Sequence, residues 1–99
     1  MKTLGLIGGT SWHATQEYYK LINEGVGRLR GTQGNPELII YSINIEIMRS
    51  MDLDRIRAKY LDVSEKLIEA GAEGILICAN TPHLTYDYVQ QKIGVPILH

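Results

Sequence analysis

The sequence predicts an α/β fold: an open parallel sheet of about four strands with helices on both faces. Three observations lead there. Short apolar runs alternate with amphipathic stretches in the order strand, helix, strand, helix, strand, helix, strand. The third run, "EGILICA", is apolar on both faces, as strands buried in a parallel sheet are. Each of the first three strands also leaves into a polar or glycine-containing segment suited to starting a helix. All 99 residues read as one domain, 1–99.

The elements follow in order. "KTLGLIGG" is a short buried strand stopped by Gly8 and Gly9. Thr10 or Ser11 then offers an N-cap. Ala14, Tyr18, Ile22, Val26 and Leu29 fall on one face of a first helix. "GTQGNP" is a loop by composition. "ELIIYSINIEI" is rich in β-branched residues and reads as the second strand. Arg49 lies in the loop after it. Asp52 caps the next helix, which carries Leu53, Ile56, Tyr60, Val63, Leu67 and Ala70 at spacings of three and four and closes at Gly71. After the third strand, Thr81 as N-cap and Pro82 at the first helical position begin a helix to about Lys92. "GVPILH" starts a fourth strand with no closing helix, which reads as a cut inside a larger design.

Composition narrows the function. A formal net charge of −1 provides no electrostatic footprint for nucleic acid. The apolar run in "MKTLGLIGGTSW" is too short for a signal peptide, and no apolar stretch reaches the ~18 residues of a membrane helix. Cys78 is the single cysteine, so no internal disulfide forms, which points to a reducing compartment. A soluble cytoplasmic protein is expected, with no nucleic-acid or membrane partner.

In an open α/β sheet, ligands bind beyond the carboxyl ends of the strands. Two such ends stand out, Gly8-Gly9-Thr10-Ser11 and Ala79-Asn80-Thr81. In a flavodoxin-like strand order they face each other. Both lead into helix N-termini, where free N–H groups and the dipole favour an anion. Two readings stay open for each residue. The glycine loop is an anion cradle or a tight turn with a cap; it lacks a third glycine for a dinucleotide fingerprint and a lysine for a P-loop. Cys78 is a thiol activated by the helix N-terminus or a packed strand end. Arg49 grips a carboxylate or is a solvated loop arginine. Trp12 packs over the first loop or is a surface anchor, and His83 is a polar partner or faces solvent. His13, His83 and His99 have no metal-ligand spacing, and no metal is expected.

Taken together, "GLIGGTSWHATQEYYKLINEG", "AGAEGILICANTPH" and "VPILH" resemble the aspartate/glutamate racemases. The resemblance spans nearly the whole chain and implies a racemase that works without a cofactor. A thiolate removes the α-proton of an acidic amino acid, and a second thiol on the opposite face returns one. Carried over, Cys78 is one of the two catalytic thiols. Asn80, Thr81, Thr10 and Ser11 hold the α-carboxylate. Arg49 takes the side-chain carboxylate, while Gly8, Gly9, Trp12 and His83 support the site. Thr10 stands where many members have methionine, and Pro82 fills a variable position. The family folds as two similar α/β domains with the site between them. The second cysteine lies in a Gly-Cys-Thr-Glu motif that this chain does not contain. Residues 1–99 thus correspond to the N-terminal domain, roughly 45% of a usual member, with the second domain absent.

Three expectations follow: half of a racemase site, a homodimer that pairs two copies of Cys78, or a dicarboxylate-binding module without catalysis. A Cys-His hydrolase would need a third group to orient His83, and the sequence shows no clear one.

Overall fold

Short apolar runs bury best when backbone groups pair within a sheet, and these runs do so in parallel. The computed structural model describes residues 2–30, 36–79 and 83–98. The elements are β1 (Leu4–Gly8), α1 (Trp12–Arg30), β2 (Leu38–Ser42), α2 (Glu46–Arg49), α3 (Leu53–Glu69), β3 (Gly74–Ile77), α4 (His83–Gln90) and β4 (Ile97–Leu98). The strands form one parallel sheet in the order β2-β1-β3-β4, as the alternation of elements predicted. None of the helices is long and apolar enough to cross a membrane, among the described residues.

Pleating decides which helix meets which side chain. A Cβ on Gly5 would press on Leu67 and Ala72 at the end of α3, and one on Gly8 would press on Thr15 of α1. Positions 5 and 8 point to opposite faces, so α1 and α3 lie on opposite sides of the sheet. Val89 of α4 joins the α3 side, where Ile7, Ile43, Ile56, Tyr60, Val63, Leu67, Ile75, Ile77 and Ile97 form a contiguous core. Burying each such side chain contributes about 1.5–3 kcal/mol.

The α1 side is thinner. Register places Ile40, Leu6, Leu76 and Leu98 in one row across it. Leu6, beneath α1, is fully buried, but Ile40 and Leu98 at the two edges are 41% and 43% exposed. Leu29, expected on the packed face of α1, is 86% exposed. The physical reason is length: 19 helical residues run about 28 Å, whereas a 5-residue strand runs about 17 Å. The last turns of α1 therefore overrun the strand they cover.

Local chemistry sets the helix ends. The Asp52 carboxylate accepts from the backbone N–H groups of Asp54 and Arg55 at 3.1 and 3.3 Å. At the other end of α3, Gly71 has φ of 113° and donates to Ile68 O at 3.0 Å, while Ala72 donates to Leu67 O at 2.9 Å. That pair of bonds is a Schellman closure, which the left-handed glycine permits. Leu53 and Ala70, expected on the packed stripe, are exposed at these ends. The chain corrects the expected second strand, which ends at Ser42. Asn44 Oδ1 accepts the Glu46 N–H at 3.0 Å and starts the short α2, so Arg49 sits on a helix and not in a loop. The α4 helix stops at Gln90, two residues early. Its side chain pins β4 instead, accepting from Ile97 N at 2.7 Å and donating to Val95 O at 2.9 Å.

Candidate functional site

Two central strands, β1 and β3, end side by side. The Cys78 N–H donates to Ile7 O at 2.9 Å, continuing the β1–β3 ladder past the end of β3. The Ile43 N–H donates to Gly8 O at 2.7 Å on the other flank. The glycine loop is thus held between the segments following β2 and β3. This adjacency is the one expected from a flavodoxin-like order.

The loop has little freedom. Gly9 has φ of 96°, and a Cβ there would collide with the backbone of Ile43. Its N–H donates to Thr15 Oγ1 at 3.1 Å, and Thr15 Oγ1 donates to Ser11 O at 3.2 Å. Ser11 Oγ accepts the Ala14 N–H at 3.3 Å, the bond of an N-cap. Ser11 therefore spends one acceptor site on the helix and keeps its O–H.

Thr10 differs from its neighbours. Its Oγ1 is buried and has no hydrogen-bond partner among the described residues. A buried hydroxyl without a partner costs about 1–3 kcal/mol, so such a group is a natural place for a ligand atom. Thr10 lines a cavity of about 310 Å³ with Gly9, Ser11, Trp12, His13, Ile45 and Arg49. The fold thus gathers Thr10, Ser11, Trp12 and Arg49 from separate parts of the sequence. The cavity walls do not include Cys78, which joins the group through its backbone bond to β1.

Trp12 does not seal the loop. It is 60% exposed, and its ring stacks on His13 with centroids 3.5 Å apart and a 32° tilt. His13 and Ile45 were not expected in this wall. His13 follows directly from its place after Trp12. Ile45 was hidden in a run that reads as strand, until the turn at Asn44 redirected it.

Cys78 is fully buried. Burial pushes its thiol from the ordinary 9.0 up to about 11, because desolvation penalises the thiolate. Asn80, Thr81, Pro82 and the His83 side chain lie outside the described residues. Among the described residues, no three His, Cys, Asp or Glu side chains cluster as a metal site would require.

Known proteins share this fold. The family model for Asp/Glu/hydantoin racemases matches residues 7–99. The broad specificity amino-acid racemase RacX of Bacillus subtilis (strain 168) is 27% identical over 101 residues, covering 97% of this chain and 44% of that protein. The crystal structure of a Yersinia pestis protein classed as an Asp/Glu racemase superposes with a TM-score of 0.92 at 35% identity, over 100% of this chain and 45% of that one. An aspartate racemase homologue from Pyrococcus horikoshii OT3 gives 0.85 at 38% identity, over 99% and 44%. The chain spans less than half the length of each of these relatives.

Proposed function

The chain belongs to the Asp/Glu/hydantoin racemase family, and from that premise we propose that it supplies one half of a cofactor-independent racemase site for an acidic amino acid. The observation that carries this reading is the union of Thr10, Ser11 and Arg49 around one cavity beside the Cys78 strand end. A guanidinium suits one carboxylate, and hydroxyls at a helix N-terminus suit another. Asn80 and Thr81, by resemblance, complete the α-carboxylate side.

Cys78 is the acid arm in this reading. Held protonated by burial, its S–H gives a proton to one face of the α-carbon and is left as thiolate. A second thiolate on the opposite face has taken the original α-proton and is left as thiol. Run backwards, the roles exchange. The intermediate carries negative charge toward its carboxylate, where fixed donors stabilise it. The second thiol comes from a second α/β domain, to which residues 1–99 are the N-terminal counterpart, or from a second copy in a homodimer. A cytoplasmic location accords with a lone, unoxidised cysteine.

A second reading is a dicarboxylate-binding module without turnover. The burial of Cys78 and its raised pKa favour it for the chain alone.

The test is α-proton exchange in D₂O on L- and D-aspartate separately, with Cys78→Ala as control. Exchange in one enantiomer, lost in the variant, supports a working half-site. Exchange with inversion in both supports a dimer that pairs two thiols. Binding without exchange supports the module, and neither binding nor exchange overturns the proposal for this chain.

A further inference from the structure

A second cleft, of about 600 Å³, opens at the carboxyl end of β2 on the α3 side. Ile43 and Ile47 wall it, whereas Ile45 walls the cavity of Thr10 and Arg49, so the 43–47 segment separates the two. Nothing in the racemase reading uses this cleft.

Its charged side chains stand unpaired among the described residues. Arg55 and Lys59 stand one turn apart on α3 and line the same cleft. Like charges at that spacing are unfavourable unless a counter-charge lies between them. Other lysines one turn from a carboxylate have closed on it: Lys66 reaches Asp62 at 2.9 Å and Lys20 reaches Glu24 at 4.0 Å. Arg55 and Lys59 close no ion pair among the described residues. Lys59 Nζ lies 5.6 Å from the centre of the Tyr41 ring, which Lys66 also approaches at 5.8 Å. Glu46 contributes a carboxylate to the same cleft and closes no ion pair there either. Asn44 Oδ1 is taken by the Glu46 N–H, which leaves the amide NH₂ free to donate.

Two cations, one carboxylate and a neutral donor complement two carboxylates and one ammonium. We propose that this cleft is a second binding site for a small amino dicarboxylate, separate from the cavity of Thr10 and Arg49. Its volume is in the range of ligand sites. Arg55 and Lys59 take the two carboxylates, and Glu46 takes the ammonium. The inference stands on the cleft's own charges and does not depend on catalysis by Cys78.

The test is a titration of the ¹⁵N-labelled chain with L-aspartate followed by amide NMR, with succinate, inorganic phosphate and sodium chloride at matched ionic strength. The expected result is saturable shifts at residues 41–47, 55 and 59 that persist in Arg49→Gln and vanish in Arg55→Gln/Lys59→Gln, whose spectra also report folding. Succinate, lacking the ammonium, binds at least about 10-fold more weakly, a 1.4 kcal/mol difference, and Glu46→Gln abolishes that preference. Shifts that match those in sodium chloride overturn the site in favour of a solvated basic face. Shifts confined to residues 9–13 and 49 overturn it in favour of one site only. Phosphate binding as tightly as aspartate overturns the ligand class.

Discussion

The amide of Cys78 donates to the carbonyl of Ile7 at 2.9 Å, so the thiol-bearing residue is an extension of the sheet and not part of a free loop. Its position is set by β1 as firmly as by β3. That bond brings the glycine loop and the cysteine together, and the same packing takes the thiol out of water.

Stability should fall in alkali because of that thiol. The unfolded thiol ionises near 9.0 and the folded one near 11, so between those values the unfolded state releases a proton that the folded state retains. Below 9 the group is neutral in both states and contributes nothing. From pH 9 to 11 the wild type should lose stability relative to Cys78→Ser, reaching on the order of 3 kcal/mol. Urea unfolding of both chains at pH 7, 9 and 10.5 measures this; parallel curves would mean that the thiol titrates normally.

Thiol chemistry offers a second check. At pH 8, labelling of Cys78 by iodoacetamide should run at least about 10-fold slower than in unfolded chain, since thiolate and access are both scarce. Fast labelling would show that the strand end opens readily.

Thr10→Val should separate binding from folding. The hydroxyl is buried without a partner, so an isosteric methyl should leave stability unchanged or raise it by up to about 1 kcal/mol. Aspartate binding at the Arg49 cavity should weaken about 10-fold, as losing one hydrogen bond to a charged group implies. A large stability loss would mean that the hydroxyl serves the fold.

Gly9→Ala should destabilise by about 2–4 kcal/mol, because φ of 96° and the Ile43 backbone both exclude a Cβ. Gly27→Ala is the control. It lies inside α1 with nothing within 4 Å of its Cβ, and should stabilise by about 0.5–1 kcal/mol. Thermal melts of the pair test whether the turn or glycine content in general matters.

Much of the fold was legible in local chemistry. Asp52 and Gly71 announced both ends of α3, because the bonds they make reach only two to five residues along the chain. Ile56, Tyr60, Val63 and Leu67 announced its buried stripe, since a helix repeats its faces wherever it lies. The short α2 was not legible. Its trigger is one Asn44 side-chain bond inside a β-branched run, and propensity favoured a strand there.

The sequence by itself determined the parallel α/β class, the order of elements and the residue types at the strand ends. These depend on periodicity and on turn residues that act within a few positions. Tertiary structure alone decided which face of the sheet is thickly covered, that Ile40 and Leu98 stay open while Ile75 is sealed, and that Arg49 shares a cavity with Thr10. It also buried Cys78. Burial removes the hydration of a thiolate and so pushes the thiol upward, an effect that no local pattern of residues announces.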